Sequence, residues 1–502
     1  RKEATGGLDE EQIRAISNEY EYGIKLAERK EDVMRLIEEK GKLTPEIKKA
    51  ILDSNKLSEI EDIYRPYKEK KKTRATTAKN KGLEPLAEYL LTFPTEGDVE
   101  EEANKYVTLE VTEELEKQDK VVKDTKEALQ GAQDIIAEMV ADEAKYRKFI
   151  RHHFEVRGML ETQVKDETLD AKRVFEMYYA YSEPVRQIKL HRVLAINRGE
   201  AEKILKVSVT EDMDYILGYL FKQVITNDKS ITTELVHQAI EDGYKRLIRS
   251  SIEREIRAVL KEKAEDQAIS VFSENLKRYL LTPPMKGKMV LGVDPAYRTG
   301  CKLAVVDQTG KVIEIGVIYP HQKYPGEKIA EDRLNKAKEK IVELVNTHKI
   351  EIIAIGNGTA SRETESFISS LVKENGLKTS YIIVNEAGAS IYSASDLARK
   401  EFPDFEVEER SAVSIARRLQ DPLSELVKID PKSIGVGQYQ YDVAQAKLND
   451  SLNFVVSSAV NSVGVDVNTA SVSLLERVSG LNAGTAGKIV DYREKNGRFA
   501  NR

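Results

Sequence analysis

One cysteine, Cys301, occurs in 502 residues, which excludes a disulfide framework and a cysteine-ligated metal cluster. A reducing, cytoplasmic setting is the expectation that follows. No stretch reaches the run of about 18 apolar residues that a spanning helix needs, so no membrane partner is expected. The opening RKEATGGLDEEQ does not read as a secretory signal. The six histidines are scattered, and the adjacent His152 and His153 have no further ligand at useful spacing. Nor is there a Walker-type phosphate loop, a dinucleotide fingerprint or a Ser–His–Asp arrangement.

What is present is length, charge and a change of pattern. A chain of this size exceeds one core and predicts three or more domains. The formal charge of −6 does not advertise a nucleic-acid binder, so any phosphate attraction must come from local basic clusters. The densest is Lys68, Lys70, Lys71, Lys72 and Arg74, with Tyr64 and Tyr67 just before it as possible stacking rings. The acidic run at 96–116 opposes it. A smaller basic patch holds Lys189, His191, Arg192 and Arg198.

Residues 1–285 show charged, 3.6-period segments and almost no strand alternation, which predicts an all-helical half. Thr44-Pro45 reads as a cap with proline at the first helical position. The Leu281-Thr282-Pro283-Pro284 linker precedes a different pattern. An apolar run at 289–293 delivers Asp294 to its end, where Pro295 stops the strand. Strands at 303–307 and 311–319 follow, joined by a tight turn at Gln308-Thr309-Gly310. A helix at 326–349, a strand at 350–355, a helix at 361–374 and a strand at 381–384 complete the order β-β-β-α-β-α-β. Each strand–helix–strand return should be parallel and right-handed. A second boundary falls near Asp430-Pro431, with helix returning around 443–460.

The segments LGVDPAYRTGCKLAVVD, IIAIGNGTASRETESF and VNEAGASIYSAS resemble the YqgF-type, resolvase-like RNase H domain of the Tex family of bacterial transcription accessory proteins. The similarity extends to YRPYKEKKKTR, YYAYSEPVRQIKLHRVLAINRGE, RSAVSIARRLQDPLSELVKIDPKSIGVGQYQYDV and VGVDVNTAS. The family pattern usually has Gly at Ala296 and His at Tyr441. The resemblance implies a mostly helical, multidomain chain with one mixed-sheet domain: a helical region with a helix-turn-helix-like portion over 1–285, the RNase H-like domain over 286–430, and a helix-hairpin-helix region over 431–502. It also implies that both ends are cut, and that an OB-fold RNA-binding domain lies beyond residue 502. The partners it implies are single-stranded RNA or DNA and the transcription machinery; a monomer is expected.

Two constellations carry the chemistry. In an RNase H fold, Asp294 and Glu386 end neighbouring strands, and Asp421 is the third acid by the resolvase-like pattern. Three converging carboxylates would cradle Mg2+ or Mn2+ for in-line phosphoryl chemistry, although no cofactor is required for binding alone. Glu425 would share a face with Asp421 if the helix is continuous. Against this, Asp421-Pro422 also reads as a cap followed by a first-turn proline. The second constellation is RVSGLNAGTAGKIV at 477–490. There Gly480, Leu481 and Asn482 form the turn, with positive φ expected at Gly480 and tolerated at Asn482. Lys488 stands one turn into the next helix. Such a turn points backbone amides outward, where they can grip one phosphate. The stretch VGVDVNTAS, with Gly464, Asp466 and a helix start at Asn468 or Thr469, has a similar cadence. Gly356-Asn357-Gly358 is a third loop that could approach a phosphate. The binding reading thus leads over a metal-dependent nuclease or junction-processing enzyme using Asp294, Glu386 and Asp421.

Overall fold

The computed structural model describes residues 6–8, 10–69, 72–110, 112–324, 326–468, 470–497 and 499. The chain divides into two compact units, residues 1–264 and 265–502. Most of both is helical, as the periodicity predicts. Among the described residues no helix is long and apolar enough to cross a membrane.

In the first unit the expected caps are in place. Thr44 accepts from the Ile47 amide at 3.3 Å at the start of the helix Pro45–Asp53. Helix Glu10–Glu38 contributes Val33 and Ile37 to a small core with Ile51, Ile60 and Tyr64. The helix Thr125–Asp142 is buried along much of its length. Gly131 permits this, since a Cβ there would lie 2.4 Å from the Leu83 side chain. Arg147, fully buried, bridges Asp62 and Glu255 at 2.7 Å each. An ion pair of this depth holds three helices in one register, because removing any partner strands a charge away from water.

This half is not all helix. Strands β1 (Met159–Val164), β2 (Ala180–Pro184) and β3 (Leu205–Thr210) form an antiparallel sheet in the order β2-β1-β3. The alternation is clean only in LKVSVT, where Leu205, Val207 and Val209 are buried. In β1 the inward position Thr162 is polar, and its hydroxyl donates to the Tyr178 carbonyl, so the strand does not announce itself by hydropathy.

The second unit contains the mixed sheet in the order β6-β5-β4-β7-β8. Its strands are β4 (Val290–Asp294), β5 (Cys301–Val306), β6 (Val312–Ile318), β7 (Ile352–Gly356) and β8 (Ser380–Val384). The first three pair antiparallel; β4–β7 and β7–β8 are parallel. The expected element order is reproduced in full. Strand alternation puts Leu291, Val293, Ile353 and Ile355 on one face, against Ile341, Leu344, Ile368 and Leu371 of the helices Glu331–His348 and Ser361–Glu374. Val290, Val306 and Ala354 take the other face, against Ile415 and Ala416 of the helix Val407–Gln420. Each such aliphatic side chain contributes about 1.5–3 kcal/mol by leaving water. The Val407–Gln420 helix approaches the sheet so closely that a Cβ at Gly292 would lie 2.1 Å from the Ala412 carbonyl oxygen. That contact fixes the helix over β4.

Candidate nucleic-acid interface and the acidic strand ends

Asp294 closes β4 opposite Lys302 of β5. Burial pushes its carboxyl up to about 6; the charges of Glu386 and Glu408 act the same way, and a hydrogen bond from Ser411 opposes them. Glu386 follows β8. Its carboxyl is also raised, mainly by burial, against a hydrogen bond from the Gly358 amide and the charge of Arg418. It rests on the Gly356-Asn357-Gly358 loop: a Cβ at Gly356 would lie 2.1 Å from Glu386 Oε2, and one at Gly358 would lie 1.7 Å from Oε1. Asn357 Oδ1 in turn accepts from the Glu386 amide at 3.0 Å. The loop is therefore a seat for Glu386, and its glycines are accounted for without a phosphate.

The structure brings Asp294 and Glu386 together and leaves Asp421 elsewhere. Ser411, the residue bonded to Asp294, precedes Asp421 by ten positions along the Val407–Gln420 helix, a rise of about 15 Å. Gln420 Nε2 donates to the carbonyls of Lys288 and Asp307, at the entrance to β4 and not its exit. Asp421 there caps the helix Pro422–Leu426, accepting from the Ser424 amide at 3.1 Å, and lies 3.7 Å from Lys286. The helix is broken at this point, so Glu425 does not extend an acidic face; it is buried and pairs with Lys428 at 3.0 Å. Among the described residues no group of three or more His, Cys, Asp and Glu side chains is arranged to hold a metal ion. The strand ends therefore carry two carboxylates rather than the three of the expected cradle, one bonded to Ser411 and one whose Oε2 is buried without a hydrogen-bond partner.

The hairpin keeps its expected outline with one change. Gly480 has φ +92, as the turn requires. Asn482 instead is extended, at φ −134, and caps the helix Ala483–Asn496: its side chain accepts from the Thr485 amide at 3.0 Å while Thr485 Oγ1 accepts from the Asn482 amide at 2.8 Å. This reciprocal box satisfies the third helical amide and leaves those of Ala483 and Gly484 facing outward without an intrahelical partner. Asn461, on the helix Gln445–Val463, secures the turn from behind by accepting from the Ser479 amide and donating to the Arg477 carbonyl. Lys488 is exposed, and Leu481 closes the turn by donating to Val478 at 3.0 Å.

Sequence reasoning did not single out Gly484 and Gly487. A Cβ at Gly480 or Gly487 would meet nothing within 4 Å, and at Gly484 only Asn482 Oδ1 at 3.4 Å. Glycine inside a helix costs roughly 1 kcal/mol relative to alanine, and no packing here explains it. The GTAG spacing was the available signal. Gly464 ends the Gln445–Val463 helix at φ +81. The next helix begins only at Val472, after a Ser471 cap, and not at Asn468; Thr469 lies outside the described residues.

Lys70 and Lys71 lie outside the described residues. Lys72 pairs with Asp119 at 2.7 Å, while Lys68 and Arg74 are exposed. Tyr64 is 8% exposed in the small core, which leaves it no free stacking face, and Tyr67 is half-buried against that core. Arg192 is engaged by Glu183 at 3.0 Å and by the Tyr181 hydroxyl. His153 is buried and stacks on Tyr215, with ring centroids 5.0 Å apart.

Comparison with known proteins agrees with this architecture. Residues 1–38 match the Tex-like protein N-terminal domain, 95–272 the Tex central region, 288–420 the Tex protein YqgF-like domain and 460–502 the helix-hairpin-helix motif. The whole chain is 55% identical to the uncharacterized protein YdcI of Bacillus subtilis (strain 168), covering 68% of that protein. It is 42% identical to the transcriptional accessory protein Tex of Neisseria gonorrhoeae, covering 64% of it, again over all of this chain. At 37% identity it matches half of the human S1 RNA-binding domain-containing protein 1. The chain thus spans about two thirds of the bacterial relatives' length. With four successive domains matched in order and full-length similarity to such relatives, this chain belongs to the Tex family.

Proposed function

We propose that the chain is a transcription accessory factor that holds single-stranded RNA or DNA by its sugar-phosphate backbone, without reading bases, while acting with the transcription machinery. One observation carries this: Gly484 and Gly487 leave the start of the Ala483–Asn496 helix bare where a side chain would displace nothing. A side-chain-free surface with two outward amides lets a phosphate oxygen approach the main chain. Exposed Lys488 adds a charge on the same helix. The names of the relatives, a transcriptional accessory protein and an S1 RNA-binding domain-containing protein, support the class of partner.

The test is fluorescence anisotropy with labelled 20-nucleotide single strands of unrelated sequence. Affinity should be alike across sequences and fall about tenfold between 50 and 200 mM salt. Gly484→Val should weaken it about tenfold with the melting curve unchanged. A strong preference for one sequence, or full affinity in the valine variant, would remove the hairpin from the proposal.

A further inference from the structure

The loop between Ile434 and the helix Gln445–Val463 is tied down from inside. Gly435 turns the chain at φ +74. The Val436 carbonyl accepts from the Asn275 side chain at 2.9 Å, and Gly437 lies against Phe272, which a Cβ would approach to 1.9 Å. Gln440 is buried; its side chain accepts from the Val436 amide at 3.1 Å and donates to the Lys432 carbonyl at 2.9 Å. Gln445 closes the loop by donating to the carbonyls of Gln440 and Val443, both at 2.9 Å.

Tyr441 takes no part in this frame. Its side chain is 76% exposed and has no hydrogen bond, ion pair or ring contact among the described residues. The loop fixes its backbone, so only two side-chain torsions remain to be ordered on contact. Val436 and Val443 are buried, and the other exposed side chains of the loop are Gln438 and Ala444. No second large apolar group of the loop therefore stands beside the ring. Protein hot spots sit in packed apolar patches, whereas a nucleobase needs only one open aromatic face. The hairpin lies in the same compact unit. Asn461, which secures its turn, is sixteen positions beyond Gln445 on one helix, about 24 Å along the axis. That distance is the length of about seven stacked nucleotides.

We propose that Tyr441 stacks a base of the same single strand whose phosphate the hairpin holds, an inference that rests on the backbone grip proposed above. A tyrosine ring accepts any base, since each base has a π-face, so the contact adds affinity without sequence preference. Two contacts at opposite ends of one helix meet a single strand at high effective concentration, which makes the second contact cheaper than the first.

The chain contains no tryptophan, so Tyr441→Trp introduces a single reporter whose emission a stacked base quenches. The 20-nucleotide strands of unrelated sequence should all quench it, and the midpoint should need about tenfold more strand in the Gly484→Val background. Tyr441→Ala should weaken binding by anisotropy about tenfold, while Tyr441→Phe and Tyr441→His stay within about twofold, because the ring is used and the hydroxyl is not. Equal losses in all three variants would mark a structural role and overturn the proposal. So would an unquenched reporter under strands that still lose affinity to Gly484→Val; that result keeps the hairpin and leaves the ring to a protein partner. Quenching that ignores Gly484→Val would keep the stacking contact and sink the hairpin.

Discussion

Replacing Asp294 with asparagine should stabilise the second unit at neutral pH. The carboxyl is held at about 6 against an ordinary 3.8, which corresponds to about 3 kcal/mol between its two protonation states. Because the folded value is the higher one, the native state binds this proton more tightly than the unfolded chain does. The contribution is fully present below about pH 3.8, declines as pH rises, and is lost above about pH 6. At pH 7.5 the ionised carboxylate is therefore a burden of that order, created by burial and worsened by Glu386 and Glu408. Asparagine has nearly the same shape, keeps an oxygen to accept from Ser411, and carries no charge. Asp294→Asn should raise stability by about 1–3 kcal/mol at pH 7.5 and by little at pH 4. The assay is urea unfolding followed by exchange of the β4 and β5 amides, which isolates this unit from the other. A variant destabilised at pH 7.5, or one whose gain is equal at both pH values, would refute the electrostatic account.

Two further outcomes follow from the same geometry. Asp421→Ala should cost about 1 kcal/mol, the worth of a lost helix cap, and should leave the titration of Asp294 unmoved by NMR; a shifted Asp294 midpoint would mean that the two acids communicate. Gly292→Ala should cost about 3 kcal/mol, the upper range for overpacking, because the new methyl meets the Ala412 carbonyl oxygen at 2.1 Å and the Ala416 methyl at 2.9 Å. Neither neighbour can swing aside, so a loss below about 1 kcal/mol in chemical denaturation would mean that the helix sits farther from β4 than described.

The mixed sheet was legible because its strands are continuous apolar runs bounded by Pro295, Gly310 and the Gly356-Asn357-Gly358 loop, and because helix period replaces strand period between them. The helix Ser361–Glu374 falls where the pattern places it. The small antiparallel sheet was not legible. Its strand β2 is AYSEP, with no apolar alternation, and Thr162 satisfies its burial through a hydrogen bond to Tyr178 that only the folded chain reveals. Asp421 shows the same limit in the site. The resemblance to the resolvase-like pattern ranked it with Asp294, but it sits at the other end of the Val407–Gln420 helix, and its capping bond to Ser424 explains the residue as it stands. Tyr64 shows a related limit: an aromatic residue beside a lysine run looks like a stacking platform until packing shows what covers it.

Glycine separates the two constellations more sharply than charge does. At the sheet end, Gly356 and Gly358 are small because Glu386 occupies the space their side chains would need; their requirement is internal, so it says nothing about a ligand. At the hairpin, Gly480 is fixed by its positive φ, whereas Gly484 and Gly487 lie within a helix and touch nothing that would exclude a methyl group. The glycines at the strand ends thus answer to a neighbour inside the protein, whereas a methyl group at Gly484 or Gly487 would displace nothing. That difference in what each glycine excludes is why the binding proposal rests on the C-terminal hairpin, although the strand-end acids are the more conspicuous feature of the sequence.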